Sequence, residues 1–391
     1  MNYCKICVYP RNAKPSILID NDGVCSGCKN FFRQNKFDWQ KRKRKLDELI
    51  SKYKFLSKKN KQDYDCIIPI SGGKDSHYQA HIIVKKYKLK PLFVTYNHCF
   101  NTQLGLRNLN NLVKQFDGDL IRFTSSIEKV KKISKYMLKK TGDITWHYHT
   151  GIFSYPFQVA RDQKIPLIIW GEPGYAINTG VYTLDDYPEY TKWVRDEYQM
   201  RGVKLNQIIN REKNGILWSD LHPFRFPDTD IIEKIGIRGI YLGSYLEWDH
   251  LKIAKEMVKK YNFKLYEKPR ERTFSMFHKI DDHANDVHDY LKYLKFGYGR
   301  GTDHAASEIR YGRMTRDEAI KMVNKYDNVK PKSLKFYLKF LGISENDLLK
   351  YIDPLRDKTI WKKIGKYKYV KKFHVKKNKP ENIIKFDKTN Y

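Results

Sequence analysis

The chain has 391 residues, 41% of them hydrophobic and 14% aromatic, which gives length for two domains and apolar surface for a packed core, and excludes disorder as its default state. A formal net charge of +32 favours acidic partners such as nucleic acid, an anionic membrane surface or a phosphorylated metabolite, yet the lysines are scattered along the whole chain, as a lysine-rich composition would scatter them. No run of about eighteen apolar residues occurs, and MNYCKICVYP lacks the apolar stretch of a secretory leader, so a soluble cytoplasmic protein without a membrane partner is expected.

Four of the six cysteines fall in the first 28 residues. Cys4-x2-Cys7 and Cys25-x2-Cys28 have the spacing of two knuckles that aim four thiolates at one tetrahedral ion, with Gly23 and Gly27 easing the backbone beside the second knuckle. Redox pairs or an iron–sulfur cluster are the alternatives, but no strand–helix–strand pattern surrounds these residues. Four thiolates leave no open coordination position, so residues 1–35 are expected to form a segment folded by structural zinc. Residues 36–62 are charged and helix-prone and read as a connector.

From about residue 64 the pattern changes. Asp65–Ile70 is a short apolar run ending at glycines, 75–88 reads as a helix, Lys90–Tyr96 as a second strand, 103–116 as a helix, and Asp119–Thr124 as a third strand. The stretches IPLIIWGEPG at 165–174 and IRGIYLGSY at 237–245 read as two more. Strands alternating with helices predict an α/β domain with a doubly wound parallel sheet over 63–265, whose ligands bind at the strand C-terminal ends. Ser71, Asn97, Glu172 and Ser244 fall at those ends. Residues 266–391 read as a helical, polar region, with a block at 293–319 dense in Gly, Arg and Asp and a basic last forty residues.

The loop SGGKDS at 71–76 is not a Walker A motif, because Asp75 stands where Ser or Thr must follow Lys74. It still reads as an anion nest: glycine amides at the mouth of a helix, the Ser71 and Ser76 hydroxyls, and the Lys74 ammonium. His147 and His149 could be ligands, a base, or a half-buried wall, since they alternate with aromatics. His278, His283 and His288 recur every five residues, which rotates them around a helix and argues against a second metal site. Cys66 reads as core, and Cys99, just past the second strand, as packing, with a reactive role as the alternative.

SGGKDS after the first strand of such a sheet resembles the pyrophosphate loop of the N-type ATP pyrophosphatases, a superfamily that includes NAD synthetase, GMP synthetase and tRNA-thiolating enzymes. The knuckles, that loop, WGEPG at 170–174 and HDYLKYLKFGYGRGTDHAASEIRYGRMTRDEA at 288–319 together resemble the N-acetyl sugar amidotransferases of bacterial surface-glycan biosynthesis, over residues 1 to about 320. The resemblance implies that ATP activates the amide oxygen of an acetamido sugar, nucleotide-linked or nonulosonic, and that ammonia replaces it to give an acetamidino group, AMP and pyrophosphate. It implies that Ser71, Gly72, Gly73, Asp75 and Ser76 hold pyrophosphate, that Lys74 neutralises the leaving group, and that Tyr96 and Asn97 touch adenosine. Asp75 is also a magnesium candidate, and Glu172 is either a magnesium ligand or a proton acceptor. Arg300, Asp303, His304, Arg310 and Arg313 are the expected sugar-binding group, since guanidinium forks suit a carboxylate or diphosphate. No glutaminase module is visible, so a separate glutaminase subunit is the expected ammonia source. The rival reading, a tRNA-thiolating enzyme, would use the positive charge but needs reactive thiols beyond Cys66 and Cys99, and nucleic acid is not the expected partner.

Overall fold

A computed structural model describes residues 2–376 apart from 175–177, 182, 184–188, 211 and 213. Five parallel strands form one sheet: β1 Cys66–Pro69, β2 Pro91–Asn97, β3 Leu120–Thr124, β4 Leu167–Trp170 and β5 Arg238–Tyr241, in the order β3-β2-β1-β4-β5. The apolar runs read from the sequence are these strands, and they are continuous because both faces of a parallel sheet are covered. Ile68 and Phe93 pack on one face under helices Trp39–Lys59, Gln103–Phe116 and His250–Tyr261. Ile67, Leu92 and Ile168 pack on the other, under helix Trp146–Gln163. The chain leaves β1 toward β2 and β3, then returns to lay β4 on the other side of β1. The crevice at this reversal is where such sheets bind ligands.

Residues 36–62 are not a free connector: Leu46, Leu49, Ile50 and Tyr53 of helix Trp39–Lys59 lie in the same buried cluster as Cys66 and Ile68. Their i, i+3, i+4, i+7 spacing makes one apolar stripe beneath a lysine-rich outer face. The knuckle segment packs on the far end of the chain, its Cys4, Val8 and Phe32 sharing a cluster with Tyr298, Ala305, Ala319 and Val323. The C-terminal region is helical, with helices Ala284–Phe296, Arg300–Arg310, Arg316–Tyr326, Ser333–Leu341 and Glu345–Ile352. It ends in a hairpin, Trp361–Gly365 with Lys368–Lys371, that the helical reading passes over. Residues 377–391 of the basic tail lie outside the described residues. Among the described residues no helix is long and apolar enough to cross a membrane.

Candidate active site

Loop 71–73 leaves β1 and opens helix Lys74–Ala80, with Gly73 at the N-cap in extended conformation. The Ser71 amide donates to Ser76 Oγ at 2.8 Å and the Gly73 amide to Ser71 Oγ at 3.2 Å, which curls the loop around its own hydroxyls. Gly72 lies against the backbone of Gly105, so close that a Cβ there would stand 2.2 Å from the Gly105 carbonyl oxygen. Next to this loop the fold buries a lysine. Lys74 is 2% exposed, and its Nζ lies 2.6 Å from Asp75 Oδ2 and 3.0 Å from His250 Nδ1. Glu172, just past β4, brings Oε2 to 2.9 Å from His250 Nε2, and Trp248 Nε1 donates to Asp75 Oδ1 at 3.1 Å.

Two cations and two carboxylates thus gather at the C-terminal ends of β1, β4 and β5, with Lys74 and His250 in direct contact. Burial disfavours the Asp75 anion, but Lys74 and His250 hold it well below the usual carboxylate range. Burial likewise opposes charge on His250, yet Glu172 outweighs it and, helped by Asp75, pushes the imidazole up to about 9. The ligand atoms of Asp75, Glu172 and His250 all lie within 4.8 Å of one another. Two carboxylates in that set fit a hard divalent cation.

A second pair of imidazoles extends the group. His278 stacks on His304 with ring centroids 4.2 Å apart and meets His250 edge-on at 5.1 Å. Each Nδ1 is engaged by a hydroxyl, Ser275 Oγ at 2.8 Å and Thr273 Oγ1 at 2.5 Å respectively. Burial holds both rings well below the ordinary histidine range.

The expected sugar-binding group does not gather in one place. His304 joins the phosphate loop through His278. Arg300 is spent on acids, with a two-pronged contact to Asp289 at 2.8 and 3.0 Å and a third to Asp303 at 3.2 Å. Asp303 is held in addition by Lys292 at 2.6 Å and by Tyr9 of the first knuckle at 2.9 Å. Arg313 bridges Asp249 and Glu308. Arg310 is buried among the cysteines, donating to the Asn178 carbonyl at 2.8 Å with Cys25 Sγ 3.9 Å away. Burial works against its charge, but Cys28, Cys25 and Cys7 hold the guanidinium ionised.

Other expectations shift as well. Asn97 stays at the rim, donating to Thr124 Oγ1 at 3.0 Å. Tyr96 does not: it is 4% exposed, packed under Gly151 and against Phe123 and Phe224, because its position in β2 turns it to the covered face. Ser244 is buried, its carbonyl taken by Arg42 at 2.8 Å. His147 and His149 lie on helix Trp146–Gln163, not on an alternating wall. His149 sits in a separate buried group with Thr145, Arg201, Asp143 and His288. His278 and His288 do not share a helix, since helix Ala284–Phe296 begins between them. Cys66 is buried in β1, and Cys99 follows β2 at φ +72° with its thiol pushed up by burial. Sequence reasoning missed His250 and Trp248, and read His278 only as one of three histidines rotated around a helix. The signal for the first two was legible: WDH follows the fifth strand run as Glu172 follows the fourth.

At the other end of the molecule the four cysteine sulfurs lie within 4.8 Å of one another, with Cys7 and Cys25 at 3.6 Å. The Cys25 amide donates to Cys4 Sγ at 3.3 Å and the Cys28 amide to Cys25 Sγ at 3.4 Å. Tetrahedral zinc at about 2.3 Å from each sulfur would space them about 3.8 Å apart, so the donor set and its compactness fit the ion. Gly23 supplies the left-handed turn at φ +81°. Gly27 serves a different need, since a Cβ there would meet Arg310 Nη2 at 2.3 Å.

Comparison with known proteins finds a family match at the far end of the chain. Residues 271–374 match the family described as "LPS biosynthesis protein WbpG-like, C-terminal domain". This bears out the family resemblance read from the motifs, because the matched stretch holds the whole of the 288–319 block and contributes His278 and His304 to the site. An uncharacterized protein of Methanocaldococcus jannaschii is 28% identical over 118 residues, 30% of this chain, and the chain spans 41% of that relative's length. Among solved structures, an ammonia-dependent NAD synthetase from Campylobacter jejuni aligns at 14% identity, covering 51% of this chain and 92% of that one with a TM-score of 0.28. An NMN synthetase from Francisella tularensis aligns at 13% identity, covering 60% and 99% with a TM-score of 0.23.

Proposed function

We propose that this chain is an ATP-dependent amidotransferase of lipopolysaccharide biosynthesis, acting in the cytoplasm, that converts an acetamido group of a sugar into an acetamidino group. One observation carries the reading: Lys74, Asp75, Glu172 and His250 meet beside a glycine loop that opens a helix at the reversal of a parallel sheet. The amides and hydroxyls of 71–76 cradle the β- and γ-phosphates of ATP, and the sugar's amide oxygen attacks the α-phosphorus. The α–β phosphoanhydride bond breaks and pyrophosphate leaves, its growing charge met by Lys74. Ammonia then attacks the imidate carbon, the carbon–oxygen bond to AMP breaks, and Glu172 accepts the proton that nitrogen sheds. Asp75 would hold magnesium, which supplies charge neutralisation to the phosphates when bound.

His250 keeps the two carboxylates apart from each other and orients Glu172, while His278 and His304 wall the site on the side of the C-terminal domain. The WbpG-like match supports a sugar of a bacterial surface glycan as substrate, and a separate glutaminase subunit remains the proposed ammonia source. The test is mass spectrometry of the purified chain with ATP, magnesium, ammonium and a panel of acetamido sugars. One sugar should lose the mass of an oxygen replaced by NH, with AMP and pyrophosphate rising in step. If no sugar changes while bulk tRNA gains sulfur from a sulfur donor, the thiolating reading replaces this one.

A further inference from the structure

Two routes of contact join the four-cysteine site to the active site, and both leave from its second knuckle. Four thiolates around a divalent ion carry about two net negative charges, which burial makes costly unless a cation stands beside them. Arg310 is such a cation. It is 6% exposed, its Nη2 lies 3.9 Å from Cys25 Sγ, and its guanidinium stands over the Tyr9 ring at 5.5 Å. Arg316 covers the first knuckle, donating to the Cys4 and Lys5 carbonyls at 3.2 and 3.3 Å.

Arg310 does not serve the sulfurs alone. Its Nη1 donates to the Asn178 carbonyl at 2.8 Å, in space that Gly27 leaves open: a Cβ on Gly27 would stand 2.3 Å from Nη2 and 2.8 Å from that carbonyl oxygen. Ser26 Oγ donates to the Thr179 carbonyl at 2.8 Å. Gly180, at φ +63°, lies so near that a Cβ would meet the Ser26 carbonyl oxygen at 2.4 Å. Stretch 178–180 is therefore seated on Ser26 and Gly27, the two residues between Cys25 and Cys28. Asn178 comes six residues after Glu172, and a Cβ on Gly174 would lie 3.8 Å from both Asn178 Nδ2 and Glu172 Oε1. The second route starts one residue on. Arg310 ends helix Arg300–Arg310 and Tyr311 caps it, so the two side chains diverge by about 100°. Phe31 meets the Tyr311 ring edge-on at 4.7 Å, the Tyr311 hydroxyl donates to the Trp248 carbonyl at 2.7 Å, and Trp248 Nε1 donates to Asp75 Oδ1 at 3.1 Å.

We propose that Arg310 and Tyr311 are positioning residues through which the knuckle segment holds the two carboxylates of the active site, Glu172 by way of 178–180 and Asp75 by way of Trp248. A guanidinium beside metal-binding thiolates is an outer partner that sets how firmly the metal is held. Here the same planar fork carries that interaction on to the ATP-loop domain. The knuckles then have a task beyond folding their own segment, because loss of the metal loosens both carboxylates. That the carboxylates serve ATP rests on the function proposed above; that the knuckle segment holds them does not.

The test uses the full chain, loaded with zinc or with cobalt in its place, whose sulfur-to-metal charge-transfer band reports on the thiolates. Arg310→Met should move that band to longer wavelength and weaken zinc binding against a competing chelator by about 10–100-fold. Arg310→Lys, which returns the charge without the fork, should recover part of both. Hydrogen exchange at 178–180 should quicken about tenfold or more in Arg310→Met. Because a buried arginine can be needed for folding, Ser26→Ala is the second variant: Ser26 is half-buried and the cysteines stay in place, so exchange at 178–180 should quicken with the cobalt band unmoved. Tyr311→Phe keeps the ring against Phe31 and loses only the hydroxyl, so exchange over 246–250 should quicken, again with the band unmoved. A wild-type band and zinc affinity in Arg310→Met, or unchanged exchange at 178–180 in both Arg310→Met and Ser26→Ala, overturns the route to Glu172; unchanged exchange over 246–250 in Tyr311→Phe overturns the route to Asp75. Calorimetry with magnesium and ATP separates this inference from the function. Loosened segments with weaker ATP binding support both, whereas loosened segments with wild-type ATP binding keep the link and remove Asp75 and Glu172 from the ATP site.

Discussion

The two glycines of the phosphate loop answer to different constraints, and replacing each by alanine separates them. At Gly72 the new Cβ would lie 2.2 Å from the Gly105 carbonyl oxygen and 2.7 Å from Gly105 Cα, all backbone, where ordinary contact begins at 3.4 Å. Gly105 cannot retreat, since a Cβ on it would itself stand 2.5 Å from Asp281 Cα. Overpacking against two stacked backbones costs about 1–3 kcal/mol. At Gly73 the new methyl meets only Ser71 Oγ, at 3.3 Å, and φ is −87°, which alanine adopts freely. Its loss as an N-cap, about 0.5–1 kcal/mol, is offset by the stiffer unfolded chain, about 0.4–1 kcal/mol. Urea unfolding should therefore show Gly72→Ala destabilised by about 1–3 kcal/mol and Gly73→Ala within about 0.5 kcal/mol of wild type. ATP-dependent pyrophosphate release should fall sharply in both, because the Gly73 methyl points into the anion nest. A Gly72→Ala protein as stable as wild type would refute the packing argument. Full pyrophosphate release by Gly73→Ala would remove the nest from the mechanism.

Other outcomes follow from the same contacts. Lys74→Met should abolish AMP and pyrophosphate formation; normal turnover would take the loop out of the reaction. Lys295 is buried, donates to the Thr141 carbonyl at 2.8 Å, and has its ammonium pushed down by burial to about 8. A depressed lysine destabilises the native state in full below pH 8 and is relieved as pH rises toward its unfolded value near 10.4, so Lys295→Met should stabilise the protein at pH 7 by up to about 3 kcal/mol, reduced by about 1 for the lost hydrogen bond. Urea midpoints that shift equally at pH 7 and pH 10 would contradict this sign. Stripping zinc with a strong chelator should lower hydrogen-exchange protection in helix Ser26–Arg33 and in helix Arg300–Arg310, because the two share one apolar cluster and Tyr9 holds Asp303. Unchanged protection, with no zinc found by elemental analysis, would dismiss the structural ion.

What the sequence by itself determined is what short-range chemistry encodes. The continuous apolar runs could only be strands covered on both faces, the Cys-x2-Cys pairs fix local turns, and SGGKDS fixes a loop at a helix mouth, so each is complete within a few residues. The tertiary structure decided which side chains meet. Lys74 and His250 lie 176 residues apart in sequence, and His278 reaches them only because the C-terminal domain folds back over the sheet. The same packing withdrew residues whose type looked functional. Tyr96 was turned into the core by its place in the β2 alternation, and Arg300 and Arg310 were claimed by Asp289, Asp303 and the cysteines. Residue type and position mark a group as able to bind, but a buried charge must first be satisfied by its neighbours.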